Sequence, residues 1–107
     1  MNVVENSKFV NELIDVEVDF LSRLINGETV QTYSMAMSVF SGVDPAPSSM
    51  LVSQFLNQST VNTRVQGGIA GNIYRLSVAA RTSANNIYIN RVLIAVLSDN
   101  AVVPSGI

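Results

Sequence analysis

The sequence has 107 residues, of which 48% are hydrophobic, and a formal net charge of −2 at pH 7, which suits a single domain with one core. It contains no His and no Cys, so the commonest general base, the thiolate nucleophile and the commonest zinc ligands are missing. This argues strongly against serine-hydrolase and zinc-hydrolase chemistry, and it predicts a non-enzymatic protein without catalytic, metal-binding or cofactor-binding residues.

Charged residues make up only 13% of the chain, about half of the usual ~25%. A neutral polar surface protects poorly against association. This favours a subunit whose faces are covered by neighbours, although a sandwich with strands rich in Ser, Thr and Asn would have the same composition. No apolar stretch reaches the roughly 18 residues of a membrane span, so no membrane partner is expected.

The two ends of the chain lack the pattern of the middle. Phe9, Val10, Leu13 and Ile14 are spaced to fit one face of a short helix, and a flexible arm over residues 1–14 is the alternative. Residues 99–107 are predicted to be a tail that contains Pro104, which cannot occupy a central strand. The first residues do not resemble a signal peptide, so we expect synthesis in a cytoplasm.

Between these ends the hydrophobic pattern has a period of two. Val16, Val18 and Phe20 alternate with three acids, which predicts a half-buried first strand with an acidic outer face. Similar alternation predicts strands over residues 29–40, 61–66 and 74–81. Two further strands are predicted over residues 50–56, with a partly apolar outer face, and 87–97, whose centre is apolar on both faces. Six strands joined by short turns indicate a single all-β domain over residues 15–98, an immunoglobulin-like antiparallel β-sandwich, with a small barrel as the alternative.

A glycine-rich stretch between the fourth and fifth strands contains Gly67, Gly68 and Gly71. Phosphate-binding glycine loops lead into a helix, whereas a strand follows here, so we predict a tight turn between sheets. Tyr74 opens the next strand. We predict that it forms a tyrosine corner, in which the hydroxyl bonds to nearby backbone, with a ligand contact as the alternative.

Charge is divided unevenly along the chain, with acids in the first strand and arginines after residue 60. The acids could suggest a Ca²⁺ site or acid–base chemistry, but strand spacing favours a solvated or subunit-facing surface. The arginines are either scattered solubilising charges or partners of the acids within or between chains, with Asp19 nominally paired to Arg91 or Arg81. No basic run indicates nucleic-acid binding. The candidates for charge pairing are Asp15, Glu17, Asp19, Arg64, Arg75, Arg81 and Arg91.

Three pieces of the sequence, in order, resemble small tailed-phage proteins of the fibre-tail adaptor type. Residues 19–30 resemble an Asp-aromatic strand that leads into Leu-x-x-Gly-Glu-x-Ile/Val, with Phe20 where Trp is common. Residues 65–76 resemble Gly-Gly-x-x-Gly-x-x-Tyr-x-Leu. Thr82-Ser83 followed by Arg91 resembles a Thr-Ser-turn-Arg ending, with Ala-Asn-Asn at 84–86 in place of a glycine turn.

The resemblance implies an immunoglobulin-like sandwich in the virion that joins tail or head–tail components to fibres by protein–protein contact. Its expected partners are other phage structural proteins, namely tail, portal or fibre components, and further copies of itself in a homo-oligomeric ring. A capsid decoration protein and a carbohydrate-binding module are the alternatives.

Overall fold

Strands form where the period-two alternation predicts them, and one further strand precedes them. The computed structural model describes residues 4–98, with the side chains of residues 6–98, and two short 3₁₀ helices lie at Leu21–Arg23 and Pro47–Met50. The strands are β1 (Val4–Phe9), β2 (Ile14–Asp19), β3 (Val30–Ser41), β4 (Leu51–Asn57), β5 (Thr60–Val65), β6 (Ile73–Thr82) and β7 (Ile87–Leu97).

The strands form two separate sheets that pack as a sandwich, so the barrel alternative is wrong. One sheet has the order β1-β7-β6-β3 and the other has the order β2-β5-β4. All paired strands are antiparallel except β1 and β7, which run parallel. The immunoglobulin-like assignment stays a prediction, supported by the orders β2-β5-β4 and β7-β6-β3, which match the B-E-D and G-F-C strands of that fold.

The helix expected near the N-terminus is wrong for residues 4–9, which form strand β1. This strand pairs with the second half of β7, in a register that places Lys8 opposite Val96 and Phe9 opposite Leu97. The alternation in β1 is hidden because its inward position 8 is a lysine, which is 1% exposed. The predicted tail at 99–107 lies outside the described residues.

The core lies between the sheets and is built by the inward side of each strand. On β2 the burial alternates as expected, and Val16 and Val18 are buried while their acidic neighbours are exposed. On β6 every second residue from Tyr74 to Thr82 is buried. Apolar burial of this kind stabilises the fold by roughly 25 cal/mol per Å². The central apolar residues are Val16, Val18, Phe20, Met37, Met50, Val61, Val65, Tyr74, Leu76, Val78, Val92, Ile94 and Val96.

The loop between β5 and β6 packs tightly onto this core through Gly68. Its φ angle is +89°, and a Cβ atom there would lie 2.9 Å from Val96 Cγ2 and 3.0 Å from Met50 Cε. The neighbouring Gly67 also has a positive φ, +64°, but a Cβ atom there would meet nothing within 4 Å. An alanine at either position would therefore strain the backbone, but only an alanine at position 68 would also crowd neighbouring side chains.

We expect Gly68→Ala to destabilise the protein more than Gly67→Ala. Gly67→Ala adds only left-handed strain, about 1–2 kcal/mol, whereas Gly68→Ala also crowds Val96 and Met50, which costs a further ~1–3 kcal/mol. Urea unfolding of both variants and the wild type measures the difference. Equal losses in the two variants would show that the loop does not press on the core.

Candidate interaction surfaces

One end of the sandwich is held by a cluster around the Tyr74 hydroxyl, the corner cluster (Asp44, Ile69, Asn72 and Tyr74). The hydroxyl accepts a hydrogen bond from the Ile69 backbone N–H at 2.9 Å and donates one to Asp44 Oδ2 at 2.7 Å. Asn72 Nδ2 donates to the same hydroxyl and to the backbone carbonyl of Val43. Burial, followed by the bond to Asp44, raises the pKa of Tyr74, so it stays a neutral donor.

The corner cluster joins the β3–β4 loop to the β5–β6 loop. Asp44 Oδ1 also accepts from the Ala46 N–H at 2.9 Å. Asn72 presses against Gly42, where a Cβ atom would lie only 2.0 Å from Asn72 Oδ1. The bond from Ile69 has the geometry expected of a tyrosine corner, in which the hydroxyl returns to backbone a few residues upstream.

Lys8 ties strand β1 to the same end. Its ammonium donates to the backbone carbonyls of Phe9 at 2.7 Å, Val10 at 3.2 Å and Gly67 at 2.7 Å. A buried cation is tolerated where carbonyl oxygens replace its lost water. Sequence reasoning missed this residue, because a lysine near a chain end is ordinarily solvated.

The opposite end is held by a second cluster, the carboxylate cluster (Glu28, Thr82, Asn86 and Tyr88). The Glu28 carboxylate is 8% exposed. It accepts hydrogen bonds from the Ile25 N–H at 3.0 Å, Asn86 Nδ2 at 2.8 Å, the Tyr88 hydroxyl at 3.1 Å and the Thr82 hydroxyl. These donors lie in the β2–β3 loop, in β6, in the β6–β7 turn and in β7, so one carboxylate connects the β2–β3 loop to the β6–β7 hairpin.

Hydrogen bonds to Glu28 stabilise its charged form. The bond from Thr82 is the largest cause, followed by the bond from Ile25, and together they hold the pKa of Glu28 at about 2 against the opposing effect of burial. Burial, and then the bond to Glu28, raise the pKa of Tyr88. The carboxylate is therefore ionised and fully used by donors of the same chain, which suits a structural role.

Arg23 closes the carboxylate cluster from outside. Its guanidinium lies 5.0 Å from the centre of the Tyr88 ring and donates to Asn90 Oδ1 at 2.7 Å. Thr29 and Ser83 add a reciprocal pair of bonds, from the Thr29 N–H to Ser83 Oγ and from the Ser83 N–H to the Thr29 carbonyl. The loop after β2 is thus fastened to the β6–β7 turn.

The acids predicted for charge pairing lie on the outer face of the β2-β5-β4 sheet. Asp15 faces Arg64 in the register of β2 and β5, and the two form an exposed ion pair at 3.1 Å. Asp19 accepts bonds from the Leu21 N–H and the Ser59 hydroxyl, and the first of these is the main cause of its lowered pKa. Glu17 is exposed between them.

The other three predicted arginines lie on the outer face of the opposite sheet. Arg75 and Arg81 alternate with buried residues of β6, and Arg91 of β7 faces Ser77. Arg75 lies 5.9 Å from the centre of the Phe40 ring. Within the described chain neither Arg81 nor Arg91 forms an ion pair with Asp19, so that nominal pairing fails inside one copy and stays a prediction between copies.

Exposed apolar side chains occur at both ends that the clusters hold, as well as on the strands. Near the corner cluster, Val43 is 82% exposed and Ile69 is 45% exposed. Near the carboxylate cluster, Leu21 is 65% and Ile25 is 64% exposed. A groove of about 460 Å³ beside Leu21 is lined by Leu24, Leu56 and Val30 among others. Both ends offer apolar contact surface on a rigid base.

Within residues 4–98, no group of three or more acidic side chains is placed to hold a metal ion. None of the helical segments in the same range has the length and apolar character that a bilayer-spanning helix needs.

The fold and its hydrogen-bonded ends define a structural β-sandwich with surfaces suited to protein contacts. The family model described as podophage GP4 fiber-tail adaptor protein gp77 matches residues 8–95. The chain belongs to this family, and it is accordingly a bacteriophage virion protein of the adaptor type. No curated protein sequence matches it significantly.

The motifs that suggested the family fall in the two clusters. The Gly-Glu pair at 27–28 places Glu28, and the Thr-Ser turn provides Thr82 and Ser83, which bond to Glu28 and Thr29. The glycine-rich run leads to Tyr74 in the corner cluster. Sequence reasoning missed the role of Glu28, although the resemblance contained it, because a glutamate after a turn is ordinarily exposed.

We expect Glu28→Gln to lower the free energy of unfolding at neutral pH and to flatten its dependence on pH. The folded pKa of about 2 lies below the ordinary 4.5, so the stabilisation from Glu28 is full above about pH 4.5 and is lost as the pH falls towards 2. Urea unfolding from pH 7 down to pH 2 should show the difference between wild type and variant narrowing in that window. A difference that does not change with pH would contradict this role.

Proposed function

We propose that this chain joins a tail or head–tail component of the phage particle to its fibres, and that it does so by protein–protein contacts without catalysis. The observation that carries the proposal is the family match over residues 8–95. The structure supports it because the donors and acceptors of the two polar clusters hydrogen-bond to loops of the same chain and hold them in place. Such fixed loops suit a rigid connector.

The two ends of the sandwich are the natural places for the two attachments. Each end combines exposed apolar side chains with loops that are already fixed by hydrogen bonds. A surface that does not have to be ordered on binding keeps more of the interaction energy as affinity. We therefore assign one partner to the end around Val43 and Ile69, and the other to the end around Leu21 and Ile25.

Disruption of the gene in the phage that encodes this chain should give particles with normal heads and tails but without fibres. Electron microscopy and mass spectrometry of purified particles would show the loss, and the chain supplied in trans should restore the fibres. Particles that keep their fibres would overturn the proposal. Unstable heads with normal fibres would indicate a capsid decoration protein.

Val43→Asp and Ile25→Asp should separate the two attachments. Both side chains are exposed, so an aspartate should cost little stability but place a charge in an apolar contact. We expect one variant to be absent from purified particles together with the fibres, and the other to be present in particles that lack fibres. Gln54→Asp, at an exposed position midway along β4, is the matched control and should leave particles complete. If both end variants behave like this control, the ends are not the attachment sites.

A further inference from the structure

The outer face of the β1-β7-β6-β3 sheet, the arginine face, has cations over a floor of small side chains. Arg75 and Arg81 are six positions apart on β6, which corresponds to about 20 Å along a strand. Arg91 lies beside them on β7, opposite Ser77. Among the side chains that the structure describes, this face has no acid. Its floor consists of Ser34, Ala36, Ser38, Ser77 and Ala79.

Two shallow depressions in the arginine face repeat the same combination of charge and apolar surface. One, of about 180 Å³, is walled by Arg81 and Ile87. The other, of about 210 Å³, is walled by Arg91 and Ile89. Both isoleucines are roughly half exposed, at 56% and 46%. Each depression therefore suits a partner surface on which a carboxylate lies next to an apolar side chain.

The outer face of the β2-β5-β4 sheet, the acidic face, presents that complement. Glu17, Asn62 and Phe55 lie in one row across the three strands, and Phe55 is 58% exposed. Asp19 is held in its charged form by the Leu21 N–H. Three acids share this face with one arginine, Arg64. The two outer faces of one sandwich thus carry opposite charge.

We propose that the arginine face of one copy docks onto the acidic face of a second copy. The partner is this same chain because one molecule carries both complementary surfaces. Arg75 and Arg81 lie on the sheet away from the acids, whereas Arg91 also borders a depression with Glu17 and Asp19 of its own copy. Contacts of this kind use two different patches. A docked pair therefore still has one free arginine face and one free acidic face, to which further copies can bind. Copies would therefore associate side by side in a ring or a stack, while the two ends stay open. The proposal does not depend on which virion proteins the ends bind.

Charge reversal tests the docking directly. Sedimentation velocity of the full chain at millimolar concentration and low salt should show self-association that weakens as salt screens the charges. Arg81→Glu and Glu17→Arg should each weaken association at least about tenfold, because like charges then oppose each other. The double variant in one chain, and a mixture of the two single variants, should both associate to within about threefold of wild type.

The mixture is informative because each single variant repels itself but complements the other at both faces. Ala70→Glu, at an exposed position of the β5–β6 loop, is a control for added charge and should associate like wild type. A wild-type chain that stays monomeric would overturn the proposal. So would weakening by Arg81→Glu without any effect of Glu17→Arg, since the arginine face would then contact a surface other than the acidic face. Loss of fibres in the gene-disruption experiment would be unaffected by either result.

Discussion

The Tyr74 hydroxyl lies where the β3–β4 loop, the β5–β6 loop and strand β6 meet, and the arrangement of that end depends on it. A buried hydroxyl without partners costs free energy. Here it donates to Asp44 and accepts from Ile69 and Asn72, so removing the hydroxyl takes one hydrogen bond from each of these three residues. The same requirement explains why residue 68 is a glycine. The loop must approach the core closely for the Ile69 N–H to reach the Tyr74 hydroxyl.

The Glu28 carboxylate has the same role at the other end as the Tyr74 hydroxyl at the first: it hydrogen-bonds to several separate segments and holds them together. Each group also has a partner far away in sequence: Asp44 is thirty positions from Tyr74, and Thr82 and Asn86 are more than fifty positions from Glu28. Between them, the sheets need only ordinary apolar packing. The loops at both ends are therefore ordered in the isolated chain, which would lower the entropic cost of binding a partner there.

Six of the described strands could be predicted, four because inward apolar residues alternate with outward polar ones, and β4 and β7 because they are largely apolar runs of strand length. Strand β1 could not be predicted, since Lys8 occupies an inward position. Carbonyl oxygens replace the water lost by its buried ammonium, and one of them, that of Gly67, lies on a distant loop. The Asp15–Arg64 pair also lay beyond sequence reasoning: it follows from the register of β2 against β5, which alternation does not specify. Tyr74 was singled out, but its bond to Asp44 depends on a loop thirty residues away.

The parallel pairing of β1 with β7 has a consequence for how the chain acquires its structure. These strands are the first and last of the described chain, and Val4 faces Leu93. During synthesis β1 emerges early and must wait for nearly the entire domain before its partner exists. Until then the backbone edge of β1 that pairs with β7 is vacant. A neighbouring chain at the same stage presents the same vacant edge, so crowded translation offers an opportunity for strand exchange between molecules.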